Sequence, residues 1–407
     1  MKNNIKSVLL LLCTVGLFGA CSDDNDSNPT MQIPQSFQLN TPAISENNVV
    51  DLANSQYINL TCNQPDFGGL PVQTQYTVEV GTKADMSDAQ ALSSTFYTTR
   101  MQLDASEVAS TLTNIELANG KTEADFPLNT PVYFRAIAKV YNAATKQPLE
   151  DTKVISNIVK LNNVKLLFSL PPVSVPSNIY INGAFSEWNW DKAVTMTEVN
   201  GTRDNNNTSC KYWHLVYIDG AGIKFNSATK WDGNEVGFSK ITVDPASELA
   251  SDIEANGDGN ISSKNPGWYL MIVSATVSGR DILYTVTFNK PMVYFMGRAA
   301  IGLAGVTADN CWDEATVMAS SAFTVPATAD GDFVSPALPA LPGTDDDGCI
   351  RMWVKIPTYD WWKSEFIVGI DADKISYRGN GGDQTRVGST AGQKVYLNFS
   401  TDKGSVK

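Results

Sequence analysis

The feature that most constrains this chain is a pattern that occurs twice. Ile179-Tyr180-Ile181-Asn182-Gly183, a short alternating stretch closed by a glycine, returns as Val293-Tyr294-Phe295-Met296-Gly297. Trp190-Asp191-Lys192-Ala193-Val194-Thr195-Met196 returns as Trp312-Asp313-Glu314-Ala315-Thr316-Val317-Met318. A recurring order of strand, glycine, loop and Trp-Asp-x-Ala-x-x-Met is the mark of tandem homologous modules. Ile350-Arg351-Met352-Trp353-Val354-Lys355-Ile356 reads as an echo of the Tyr212–Tyr217 strand. Further strand-period runs, such as Trp268–Val273 and Ile282–Phe288, complete the reading. Two β-sandwich modules are predicted, over residues 177–290 and 291–407.

The preceding part has a different character. Tyr57–Cys62, Gln75–Val80 and Val132–Val140 alternate with period two and are separated by Gly, Pro and Asn clusters. Strands at this spacing predict an immunoglobulin- or fibronectin-III-like sandwich over 35–163, with room for one short helix from Asp104 to Leu117. Leu161 to Val175, ending in Pro171-Pro172-Val173-Ser174-Val175-Pro176, is the candidate linker. The expected class is therefore all-β throughout.

The N-terminus reads as an address. Lys2 and Lys6 precede an apolar run from Val8 to Ala20 that is too short to span a bilayer. It ends Leu17-Phe18-Gly19-Ala20-Cys21, which resembles a bacterial lipobox with Cys21 as the acylated residue; an ordinary cleaved secretory peptide is the alternative. The following Ser22-Asp23-Asp24-Asn25-Asp26 resembles the acidic surface-export signal of Bacteroidetes lipoproteins, and 22–34 is expected to be a flexible tether. An outer-membrane, cell-surface location anchored at Cys21 is the expectation.

All nine tryptophans lie at or after Trp188. Indoles are costly to expose unless something covers or binds them, so the front half is expected to be a spacer and the rear half to bind a ligand. A net charge of −13 without a basic run excludes a nucleic-acid partner. His214 is the only histidine and sits on an apparent strand, which argues against Ser–His or Cys–His catalysis. No catalytic constellation and no cofactor or metal site is expected. Asp345-Asp346-Asp347-Gly348 and Asp258-Gly259-Asn260 lack a full calcium-loop ligand pattern and read as solvated turns. Cys311 and Cys349 fall in one module, where a disulfide and isolated buried thiols are both open.

With these residues in place, the chain resembles the SusE/SusF family of surface starch-binding lipoproteins over nearly its whole length. The segment Ile375–Gln384 and the strand Lys394–Phe399 resemble that family's C-terminal module. The resemblance implies non-catalytic capture of polysaccharide, with starch or maltooligosaccharide favoured, beside an outer-membrane SusC/SusD-type importer. Relatives in other polysaccharide loci bind other glycans. A structural or adhesive surface protein and a glycan-active enzyme are the rival readings.

A sugar ring offers an apolar C–H face and a rim of hydroxyls, so a protein grips it with flat aromatic platforms and polar side chains. Trp190 and Trp231 are the expected platform pair of the first module, with Lys224 pointing out from the Ile223-Lys224-Phe225 strand and Trp188 as a third candidate. Trp213 and Trp268, on strands, are expected in the core. In the second module the candidates are Trp312, Trp361 and Trp362, of which one of the adjacent pair would pack inward. Arg378 is read either as a fork-geometry donor to the ligand or as a structural ion pair. Arg351, Trp353 and Lys355 alternate onto one face.

Overall fold

A computed structural model describes residues 30–45, 48–344 and 348–407. The expected signal sequence, Cys21 and the Asp345-Asp346-Asp347 turn therefore lie outside the described residues. The chain forms two compact units, divided between Pro171 and Pro172. It is all-β, with a single helix longer than two turns among the described residues.

The first unit is a sandwich. Strands Leu39–Asn40, Tyr57–Cys62 and Arg100–Asp104 form one sheet. The second is built on Val159–Leu166, Leu128–Asn142, Thr74–Gly81 and Gln90–Phe96. Period-two alternation creates the core between them: Ile58, Leu60 and Cys62 point inward from one sheet, Tyr76, Val78 and Val80 from the other. The predicted helix is Ala105–Ala118, started by the Asp104 carboxylate, which accepts from the Ser106 and Glu107 backbone N–H groups. The expected linker is shorter than its sequence suggested. Leu161 and Val164–Leu166 pair with the long Leu128–Asn142 strand, because the apolar alternation of that segment finds a partner before the prolines begin.

In the second unit, the first module pairs a sheet ordered Val194–Thr195, Tyr180–Gly183, Ile223–Asn226, Ile261–Ser263, Ile253–Ala255 with a sheet ordered Thr197–Glu198, Ser209–Ile218, Gly267–Ser278, Asp281–Asn289, Ile241–Val243. The second module carries the sheets Val293–Phe295, Met352–Val354, Glu365–Ile367, Ser376–Tyr377 and Phe333–Val334, Val395–Asn398, Lys403–Val406.

The two modules are not beads on a string. Trp213, Leu215, Trp268, Leu270 and Ile272 of the first module belong to the same buried cluster as Phe295, Phe333, Trp353, Phe366 and Phe399 of the second. The alternate residues Tyr212, Val216, Tyr269, Met271 and Val273 fill the first module's own core. Over Tyr212–Ile218 and Trp268–Val273 these strands are thus apolar on both faces because both faces are covered there. His214 is sealed in the same junction, its Nε2 3.1 Å from the Phe399 carbonyl oxygen.

Topology corrects one expectation. The Met352–Val354 strand pairs with Val293–Phe295 as Ile223–Asn226 pairs with Tyr180–Gly183. The Ile350–Ile356 segment is therefore the counterpart of the Ile223 strand and not of the Tyr212 strand. Apolar strands resemble one another in composition, and only pairing identifies them.

Candidate functional site

In the first module the loop after Gly183 turns sharply. The Ser186 hydroxyl donates to the Asn182 side-chain oxygen at 2.5 Å and accepts from the Gly183 N–H at 3.1 Å. Glu187 and Trp188 then both take φ of +57°, a left-handed conformation that non-glycine residues adopt at a cost. Trp188 is half-buried at this turn.

The loop carrying Trp231 follows the Ile223–Asn226 strand. Backbone bonds between Phe225 and Val236 close it, and the Asn226 amide donates to the Lys230 carbonyl and the Asp232 carboxylate, each at 3.1 Å. Trp231 stands 55% exposed. Its ring centroid lies 6.4 Å from that of Trp188, with 32° between the planes. Lys224, Asp258 and Asn260 line the same shallow hollow. The Lys224 ammonium makes no ion pair or hydrogen bond among the described residues.

Trp190 requires a correction. It is 5% exposed and meets Trp231 edge-on at 5.3 Å and 69°, so neither of its faces is open to a ligand. Its place is beneath Trp231, as a buttress. Trp188, the third candidate, is half-buried and borders the hollow with Trp231. Asp258, read from sequence only as part of a solvated turn, borders the hollow.

The second module builds a similar arrangement from different loops. Trp312 is 40% exposed and lies 5.9 Å from Trp361 with 41° between the planes. Trp312 rests on Gly297, where a Cβ would come within 2.5 Å of its ring. The Arg351 guanidinium lies 5.9 Å from the Trp312 centroid and 5.8 Å from that of Trp361, a cation–π arrangement with both rings. Arg351 donates to Glu365 at 2.6 Å and to Asp383 at 3.1 Å. Burial weighs against its charge, but the Asp383 hydrogen bond and the Glu365 charge outweigh this and raise the guanidinium above its ordinary value.

Trp361–Ser364 is a 3-10 turn and not a strand, so the inward-outward alternation expected for Trp361 and Trp362 does not apply. Trp362 turns instead toward two cations, Lys363 Nζ at 4.6 Å and Arg378 Cζ at 5.1 Å from its centroid. Arg378 spends a guanidinium nitrogen on Glu365 at 2.7 Å, the structural ion pair of the two readings. Lys363 Nζ donates to the Asn200 carbonyl of the first module at 2.9 Å, and the Asn200 amide donates to the Gly379 carbonyl at 2.5 Å. Trp362 and Arg378 thus belong to the seam between the modules and not to the Trp312–Trp361 pair. Trp353 is fully buried and donates to the Phe295 carbonyl at 3.1 Å.

Each module therefore brings together two tryptophans on neighbouring loops and a cation, Lys224 on the Ile223–Asn226 strand and the buried Arg351 just before the Met352–Val354 strand. Among the described residues no group of three or more His, Cys, Asp or Glu is placed to hold a metal ion. All four described cysteines, including Cys311 and Cys349, are buried. No helix among the described residues is long and apolar enough to cross a membrane.

Comparison with known proteins gives the chain its relatives. Residues 178–285 and 300–405 match the family described as SusF/SusE starch specific CBMs, carbohydrate-binding modules. Residues 23–136 match the family described as SusE outer membrane protein. The outer membrane protein SusF of Bacteroides thetaiotaomicron is 37% identical over 253 residues, which are 59% of this chain and 45% of that protein. The chain thus aligns to less than half of that relative's length. The crystal structure of SusF from Bacteroides thetaiotaomicron aligns over 91% of this chain and 99% of that one, with a TM-score of 0.44 and 18% identity.

Proposed function

The chain belongs to the SusF/SusE family of carbohydrate-binding modules, and on that premise we propose that it is a non-catalytic surface protein of the outer membrane that captures starch-like α-glucan. The observation that carries this reading is the Trp188–Trp231 pair, in which Trp231 stands 55% exposed and Trp188 half-buried at a shallow hollow beside Lys224. An indole as open as Trp231 is costly without a covering partner, and a pyranose face is complementary to it. The Trp312–Trp361 pair over Arg351 is the second platform. We assign the modules to 177–290 and 291–407, with the sandwich at 35–163 as a spacer.

Anchoring through acylated Cys21 and delivery to a SusC/SusD-type importer belong to the same reading. The family membership supports them, as does the sequence pattern around Cys21. Affinity electrophoresis in gels containing amylopectin, dextran, xylan or no glycan tests the function. Retardation in amylopectin and release of no reducing sugar are expected. Retardation by another glycan alone would reassign the ligand, and retardation by none would favour a structural or adhesive role.

A further inference from the structure

A cleft between the two modules has the chemistry of a third sugar contact. Its floor is the part of the first module's large sheet that the second module leaves uncovered. There Lys211 pairs across the sheet with Ser274, and Thr287 with Ile272. Asn289 ends the same strand as Thr287. Asp244 borders one side, and the turn carrying Tyr359 from the second module borders the other. Trp213, Leu215 and Leu270 of this sheet lie in the buried junction, so the polar positions form the margin of an apolar interface. A polar margin is ordinary, and two observations set this one apart.

The turn is strained at its tip. Thr358 takes φ of +69°, a left-handed conformation that is an outlier for a β-branched residue. It holds the Tyr359 ring half-buried at the mouth of the cleft. The second observation is the charge. Lys211 Nζ lies 5.4 Å over the Tyr359 ring, and Asp244 uses one carboxylate oxygen to accept from the Ala246 N–H. Neither forms an ion pair with the other or with any described residue. A cation and an anion left apart in one cleft offer donors and acceptors without net charge, beside the Ser274 hydroxyl and a Thr287 hydroxyl that accepts from the Asn289 amide at 3.3 Å. An anionic ligand would meet Asp244 and a cationic one Lys211. A neutral polyhydroxylated ring suits both.

We propose that one pyranose unit of the glycan lies in this cleft against Tyr359, hydrogen-bonded by Lys211, Asp244, Ser274, Thr287 and Asn289. The proposal rests on the glycan-binding reading above. It makes the junction of the modules a contact in its own right, separate from the two tryptophan pairs.

Maltoheptaose titrated into the full chain carrying Trp188→Ala, Trp231→Ala, Trp312→Ala and Trp361→Ala is the test. Weak residual binding is expected, and adding Tyr359→Ala cuts it about tenfold, the equivalent of ~1.4 kcal/mol. Residual binding untouched by Tyr359→Ala, or none where the unsubstituted chain binds, overturns the cleft and leaves the platforms standing. No binding by the unsubstituted chain overturns the reading on which the cleft rests. Because four substitutions burden the fold, a second measurement uses threonine-methyl NMR on the unsubstituted chain. The Thr287 and Thr358 methyl signals shift on addition of maltoheptaose and do not shift in Ser274→Trp; signals that stay fixed in the unsubstituted chain overturn the proposal.

Discussion

Lys224 and Arg351 occupy the same place in the two modules. Lys224 pairs across the sheet with Asn182, the residue before the strand-closing Gly183. Arg351 accepts, through its backbone oxygen, the N–H of Met296, the residue before Gly297. In each case one tryptophan comes from the loop after the glycine, Trp188 or Trp312. The other comes from the loop after the cation's strand, Trp231 or Trp361. Two loops and one strand position therefore define a platform that recurs although the tryptophans are not all matched in sequence.

The roles of Trp188 and Trp190 separate by substitution. Trp188→Ala removes half an open platform and should weaken glycan binding about tenfold while leaving the melting temperature unchanged, as for an aromatic contact of ~1.4 kcal/mol. Trp190→Ala empties a buried site and should cost about 3–5 kcal/mol of stability. Isothermal titration together with thermal melts reads both.

Gly297→Ala tests the support of the second platform. The added Cβ would lie 2.5–2.9 Å from the Trp312 ring, in a backbone with φ of +66°. Strain and displacement of the indole combine, so the variant should lose second-site affinity and some stability. The Trp312 indole N–H resonance, shifted from its native position, is the direct readout.

The junction makes a calorimetric prediction. Because residues of both modules share one apolar cluster, residues 172–407 should unfold in one cooperative transition. Leu270→Ala should lower that single transition by about 2–5 kcal/mol. Two resolved transitions within this unit would contradict the shared core.

Asp383 sets a pH dependence. Burial works to raise its carboxyl, but the Arg351 hydrogen bond and charge outweigh this and hold it below the ordinary value. A lowered carboxyl stabilises the folded state above the unfolded value of about 3.9 and loses that contribution as pH falls through the lowered folded value. The difference in stability between the native chain and Asp383→Asn should therefore stay constant above about pH 5 and shrink as pH falls below it. Thermal melts above and below that pH measure it. Asp383 is nearly half exposed, so the effect is modest.

Much of this was legible in the sequence, for physical reasons that also mark where legibility ended. The repeat announced paired modules, and alternation placed Tyr57–Cys62 and Gln75–Val80 in a sandwich. The outward direction of Lys224 was legible because Ile223 and Phe225 on either side of it are apolar and buried. That Trp190 is the more buried indole and Trp188 the less buried was not legible, because the left-handed turn at Glu187 and Trp188 lies between non-glycine residues. Arg351 looked like one member of a strand face until pairing with the Val293 strand put it opposite Met296. The fused junction was signalled only by unbroken apolar runs such as Trp268–Val273, which do not say what covers the second face.

The measurement that bears most directly on the two-platform account is titration of maltoheptaose into Trp231→Ala, Trp361→Ala and the combined variant, each checked for native unfolding. Two linked sites on one polymer reinforce one another through effective concentration. Each single variant should weaken binding, and the combined variant should retain only a weak remnant. A correctly folded combined variant that binds as tightly as the unsubstituted chain would contradict the claim that these indoles hold the glycan.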